Sequence, residues 1–299
     1  MNNIKKRFSI RDLENLSGIK AHTIRIWEKR YNLLTPERTS TNIRTYSLSS
    51  LQKLLNITLL YKSGHKISKI AKIPEQNIPS LVQKIVTQDR VDHHSINSFK
   101  LAMMNFDQSL FIKTYDKLRL EKSFDEIFKE VLIPLLTELG LLWQTDTISP
   151  PHEHFITNLI KQKIVINTEK LQGEAPTKTD RVFVPFLPDN EIHEIGLLYL
   201  NYEIVKKGYR SIYLGQTVPL ENLTELLNYF DNIRFISYFT VVPSKDYINN
   251  YIADFEEMAR PYPETELWLL GRQTEHIDKT HRPKMVKTFT SIEEVTTCL

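Results

Sequence analysis

Cysteine is almost missing: Cys298 is the one cysteine in 299 residues. Disulfide scaffolds, zinc modules and thiolate metal sensors are therefore excluded, and a reducing cytoplasm is the expected setting. Long apolar runs are missing as well. No stretch approaches the roughly 18 residues of a membrane span, and the opening MNNIKKRFSI has no apolar signal core, so no membrane association is expected. The third scarcity is acidic charge over the first 73 residues. Asp12, Glu14, Glu28 and Glu37 stand there against fifteen lysines and arginines, a net of +11 in a chain whose total is +3, which leaves −8 for the remainder. A split of that size marks a polyanion-binding module joined to something else. The 41% apolar and 25% charged residues are those of a globular protein, long enough for two or three domains.

Within the basic segment, Ser9 and Asp12 form a capping-box pattern that starts a short helix, and Ser17-Gly18 ends it. A second helix is predicted over 21–31. Ile19, Ile24 and Trp27 are spaced to face the first helix, while His22, Thr23, Arg25, Lys29 and Arg30 lie largely elsewhere. Helix, glycine turn and basic helix is the helix-turn-helix layout, whose second helix enters the major groove of DNA. The polar stretch from Pro36 to Tyr46 has the length of a β-hairpin wing, and Arg38 and Arg44 there suit phosphate contacts. The order Ile24-Arg25-Ile26-Trp27-Glu28-Lys29-Arg30-Tyr31, Pro36-Glu37-Arg38 and Asn42-Ile43-Arg44-Thr45-Tyr46 closely resembles the MerR family of winged-helix regulators, continuously over residues 7–73. That resemblance implies a dimer on palindromic operator DNA, with Thr23, Arg25, Lys29, Arg38, Arg44 and Tyr46 as the expected DNA contacts and Trp27 as a packing residue. Members that sense metals do so through cysteines, which this chain lacks, so its signal differs.

Residues 76–94 read as a linker containing Pro79 and the pair His93-His94, whose adjacent rings point apart on a helix and do not form a metal site. Helices are predicted over 95–105, 107–119, 123–143 and 151–171, with Asp107 and Ser123 as N-caps, a kink at Pro134 and prolines opening the last. Trp143 is followed, beyond a short break, by Glu153-His154. Alone, a tryptophan near a helix end is ordinarily core, and Glu-His at a helix start is ordinarily an exposed, dipole-stabilised pair.

Beyond residue 180, short apolar strands alternate with helices, at Arg181–Phe186, Ser211–Leu214, Phe235–Phe239, Leu267–Leu270 and Val286–Phe289. This pattern predicts a parallel doubly wound sheet, whose ligands sit at the carboxyl ends of its strands. There lies Glu191-x-His193-x-x-Gly196, followed by Leu214-Gly215-x-x-Val218-Pro219. The string resembles the cobalamin-binding motif, in which the histidine replaces the cofactor's own base as lower cobalt ligand. An acidic neighbour can fix the tautomer of such a histidine, and Gly196 is expected to let the helix start approach the corrin.

Together the three parts resemble the CarH/LitR group of MerR-type regulators across essentially the whole chain. The implied architecture is multidomain: an all-α winged helix-turn-helix (1–75), a linker (76–94), a four-helix bundle cap (95–175) and an α/β flavodoxin-like (Rossmann-type) domain (180–299). The resemblance implies cobalamin, as adenosylcobalamin, ligated at cobalt by His193, with Trp143, Glu153 and His154 over its upper face and Glu191, Gly196, Ser237 and Gly271 around it. It further implies a non-enzymatic repressor, dimeric or tetrameric according to ligand, that releases DNA in light. Two departures stand out. Gln144 follows Trp143 where a histidine ligand can stand, and Arg272 replaces the second of a glycine pair, where it either crowds the nucleotide tail or pairs with its phosphate. Tyr238 or Phe239 could narrow the same slot. Two alternatives follow: a regulator whose degenerate sensor domain answers to a partner protein, or a corrinoid methyl-transfer protein, for which no segment is long enough to supply a substrate barrel.

Overall fold

A computed structural model of the chain describes residues 7–39, 41–78, 81–82, 88–145 and 147–299, without the side chains of 88–93 and 144. The expectations placed on Pro79, on the His93 ring and on the Gln144 side chain fall outside these residues. The chain divides into two compact units, Met1–Ile160 and Lys161–Leu299, the boundary falling within one long helix.

In the first unit, α1 (Ile10–Ser17) starts at a full capping box. The Asp12 amide donates to Ser9 Oγ at 3.1 Å and the Ser9 amide donates to the Asp12 carboxylate at 2.8 Å. Gly18, at φ +72°, closes it in the left-handed conformation that glycine adopts without strain. Helix α2 (Ala21–Tyr31) follows and buries Ile24 and Trp27. The wing is a small antiparallel sheet in which β3 (Arg44–Ser47) lies between β1 (Arg7–Phe8) and β2 (Glu37–Arg38). Its β1 strand was not apparent in the sequence. Helices α3 (Leu48–Lys62) and α4 (Ile67–Ile70) complete this part.

The bundle begins with α5 (Gln88–Asn105), seven residues earlier than expected, so His94 lies on a helix rather than in a linker. Next come α6 (Gln108–Arg119), capped by Asp107, and α7 (Phe124–Ile127), capped by Ser123. The kink expected at Pro134 is resolved differently. A π-helical turn, Phe128–Leu132, precedes α8 (Ile133–Gln144), which takes Pro134 into its first turn, where a missing N–H costs nothing. Helix α9 (Pro150–Gln172) closes the series.

The second unit is built on a parallel sheet in the order β5-β4-β7-β8-β9, from β4 (Lys178–Pro188), β5 (Tyr209–Ser211), β7 (Ile233–Tyr238), β8 (Glu266–Leu270) and β9 (Val286–Thr288). Alternation along each strand feeds both faces. Val184, Phe186, Phe235 and Leu269 point to one core, and Phe183, Leu187, Ile236 and Trp268 to the other. Helices α10 (Ile195–Lys206), α11 (Thr224–Leu227), α12 (Ile248–Ala259) and α13 (Ile292–Cys298) complete the chain. Each fully buried phenylalanine contributes roughly 1.5–3 kcal/mol, so the two apolar faces hold the sheet between helical layers. The predicted strand Ser211–Leu214 is corrected: β5 ends at Ser211 and a separate strand, β6 (Gly215–Val218), pairs with the end of β4. Positive φ at Gly215 (+82°) and Thr217 (+56°) breaks the extended run. With β4 between β5 and β7, the chain reverses direction of winding at β4, the switch point at which such sheets bind ligands.

Candidate functional site

The first candidate surface is on α2. His22, Arg25, Ile26 and Lys29 are exposed at helical spacing and form one stripe, opposite buried Ile24 and Trp27. Thr23 is half-buried beside it. Ile26, 40% exposed, was not singled out from sequence. An apolar side chain within a cationic stripe suits contact with a thymine methyl group. Arg38 is exposed on the wing and donates to Asn42 Oδ1 at 2.6 Å.

Tyr46 is a correction. It is 1% exposed and its hydroxyl donates to Glu28 Oε2 at 3.0 Å, so it cannot contact DNA from this position. The short β3 strand is held on both edges, Phe8 pairing with Tyr46 and Glu37 with Thr45, and that register turns the ring inward. Burial, with the Glu28 carboxylate, pushes its phenol well above the usual value. The other oxygen of Glu28 accepts from Arg44 Nε at 3.2 Å, so one carboxylate on α2 fixes the wing through two residues. Replacing Glu28 by alanine should strand the buried Tyr46 hydroxyl and cost about 1–3 kcal/mol in urea denaturation.

Trp27 packs edge-on to Tyr61 with ring centroids 5.2 Å apart, as a packing residue should. Trp143 behaves differently. It ends α8 with 46% of its surface exposed, next to Leu141 at 59%. Trp143 and Leu141 leave apolar surface open at this end of the helix. At the start of α9, Glu153 lies in the first turn, and its carboxylate is 2.7 Å from His154 Nδ1.

In the second unit the loop after β4 holds a dyad. Glu191 is 1% exposed, yet every lone-pair direction is used. Oε1 meets His193 Nδ1 at 2.5 Å and accepts from the amides of Ile192 and His193 at 2.9 and 3.0 Å. Oε2 accepts from the amides of Val241 and Val242 at 2.7 and 2.9 Å. Burial pushes this carboxyl up, but the hydrogen bonds from His193, Val242 and Val241 outweigh it and hold it at about 2. Glu191 is thus a fixed anion that clamps the loop after β4 to the loop after β7. Its grip on Nδ1 fixes the orientation of the ring, and the His193 side chain is 53% exposed. Ile192 (56% exposed), Leu214 (37%) and Val241 (53%) lie on the loops and strand ends at this end of the sheet, an apolar rim not foreseen from sequence.

No group of three or more histidine, cysteine, aspartate and glutamate side chains able to hold a metal occurs among the described residues. A bare transition-metal ion takes about four protein ligands. One anchored histidine in an apolar rim therefore fits a metal that arrives with its equatorial ligands already in place, as in a corrinoid.

The structure gives the surroundings of three motif residues. A Cβ on Gly196 would lie 2.9 Å from the Tyr238 ring, so the space at the helix start is taken by that tyrosine. Ser237 is fully buried and donates to the Phe186 carbonyl at 2.8 Å, which makes it a sheet-interior wall rather than an open donor. Gly271 has φ +99°, and a Cβ there would stand 2.4 Å from the Phe239 carbonyl oxygen. Gly271→Ala should therefore destabilise by about 1–3 kcal/mol or more, read as a lower urea midpoint at unchanged slope. Arg272, directly after it, is exposed.

The MerR HTH family of regulatory proteins matches residues 8–76, and the B12 binding domain family matches residues 95–166. The two matches place MerR-type helix-turn-helix similarity in the N-terminal part and B12-binding-domain similarity in the helical part that follows it. It is similar to the HTH-type transcriptional repressor CarH of Myxococcus xanthus, at 29% identity over 73% of this chain and 74% of that protein. It is also similar to the repressor CarA of the same organism, at 24% identity over 70% and 68%. A monomethylamine corrinoid protein from Methanosarcina barkeri superposes with a TM-score of 0.57 at 14% identity, covering 69% of this chain and 97% of that one, which shows a shared fold. Among the described residues no helix is long and apolar enough to cross a membrane.

Proposed function

We propose that this protein is a cytoplasmic transcriptional repressor that binds operator DNA through α2 and the wing, and whose grip on DNA is set by cobalamin held at His193. The observation that carries the reading is the Glu191–His193 dyad at the sheet's switch point, in a chain that also presents the cationic stripe of α2. Arg25 meets the groove, Lys29, Arg38 and Arg44 the backbone, and a homodimer matches a two-fold operator. In the second unit His193, with its ring fixed by Glu191, would hold the cofactor's metal, and Ile192, Leu214 and Val241 would shield it from water. Ser237, Gly271 and Arg272 lie at the strand ends on the side we assign to the nucleotide tail.

Trp143, Glu153 and His154 are the groups of the first unit that we assign to cofactor binding, with adenosylcobalamin as the form bound. That cofactor supplies, when bound, a cobalt–carbon bond that visible light breaks. The chain's part is linkage: whichever oligomer binds the cofactor better is populated by it, and operator affinity follows. The relatives' names support repression and a non-enzymatic role.

The test is gel filtration of the full-length protein, dark-loaded with adenosylcobalamin, before and after green light. Retained cofactor and a light-dependent change of oligomer size are the expected results. Protein that leaves the column colourless in the dark contradicts the reading.

A further inference from the structure

The DNA-reading domain is tied to the Trp143 end of the bundle by two polar contacts, both within the first unit. Lys100, on α5, is 5% exposed, and its ammonium donates to the Leu16 carbonyl at 3.0 Å and to Glu138 Oε2 at 2.6 Å. Leu16 lies in the last turn of α1, whose carbonyls have no donor within the helix. A buried cation from another domain supplies one. The second tie is Asn15 Nδ2 donating to Thr147 Oγ1 at 2.8 Å.

Thr147 is fully buried just past Trp143. Its amide donates to the Leu142 carbonyl at 2.9 Å, and its hydroxyl is 3.0 Å from that of Thr145, which in turn donates to the Leu141 carbonyl. The turn that carries Trp143 is therefore bonded to the residue that grips α1. On the other side, Glu14, next to Asn15, accepts from the amide of Ala21 at 2.9 Å and so caps the first turn of α2. Bonds run without interruption from the Trp143 turn, through Thr147 and Asn15, to the helix bearing Arg25.

Packing around this seam is incomplete. A cavity of about 660 Å3 borders it, lined among others by Leu16, Thr58, Lys100, Glu138 and Leu142. Close-packed interfaces resist small rotations; beside this open pocket, the two polar ties join α1 directly to the bundle. We propose that Asn15 and Lys100 are positioning residues through which the cofactor state at Trp143 sets the orientation of the recognition helix. The proposal rests on the reading of the protein as a cobalamin-gated regulator.

The test measures DNA binding by the full-length protein with and without adenosylcobalamin in the dark, using a duplex that the wild-type protein selects from a random-sequence pool. Wild-type protein should show about a tenfold or larger ratio between the two dissociation constants. In Asn15→Ala and Thr147→Val the ratio should fall several-fold. In the Asn15→Ala/Lys100→Met pair it should approach one, with the cofactor's absorbance spectrum unchanged. A purely structural role would weaken DNA binding equally in both states and preserve the ratio, and that result overturns the proposal. Asn15 is exposed, so its variant decides the matter even if removal of Lys100 prevents folding. If wild-type protein takes up cofactor and its DNA affinity does not change, the regulatory reading itself fails; if wild-type responds and both single variants respond equally, only this inference fails.

Discussion

His193→Ala should lower cobalamin affinity by roughly 100-fold or more, since loss of an outer-shell partner alone costs about 10–100-fold at metal sites. The variant should elute colourless from gel filtration in the dark, or carry cofactor whose absorbance is that of free cobalamin. Glu191→Gln separates ligation from orientation. The amide cannot accept all five hydrogen bonds that the carboxylate takes, and it removes the charge that fixes the His193 tautomer. We expect the weaker, outer-shell loss, with the absorbance of His-ligated cobalt still reached at high cofactor concentration. Equal retention by wild-type and His193→Ala protein would mean that the dyad only staples two loops together.

The second large effect is on DNA. Arg25 is exposed in the centre of the α2 stripe, and its replacement by alanine should cost about 1–3 kcal/mol of operator affinity and relax discrimination at one base pair. Lys29→Ala should weaken binding to all sequences alike and reduce the slope of log affinity against log salt by about 0.9. Tyr46→Phe is the control. Its hydroxyl faces Glu28, so stability should fall while sequence preference is kept. Fluorescence anisotropy across a salt series reads all three, and a Tyr46→Phe protein with altered base preference would reopen its assignment.

The features legible in the sequence were those written in short spans. Ser9 with Asp12, Gly18, and the run from Ala21 to Tyr31 are local signals, and each appears where its spacing puts it. The alternating strands were legible because two apolar faces leave few other folds for such runs. What escaped depended on distant partners. The inward turn of Tyr46 is set by pairing with Phe8, and the occupation of the space at Gly196 by Tyr238. The clamp on Glu191 comes from Val241 and Val242, two residues with no motif of their own. The ties at Asn15 and Lys100 join segments far apart in the chain, and no spacing rule announces them.

Charge follows the same division of labour. The excess of lysine and arginine lies in the segment that meets phosphate, and the remainder, net acidic, is repelled by it. Coupling between two such parts is a free energy and therefore reciprocal. If cobalamin changes the affinity for DNA, DNA must change the affinity for cobalamin by the same factor. The most direct measurement is a dark calorimetric titration of adenosylcobalamin into the full-length protein, alone and saturated with its selected operator. The account predicts that the two cobalamin affinities differ by the factor that separates DNA binding with and without cofactor, about tenfold or more; identical cobalamin affinities in the two titrations would contradict it.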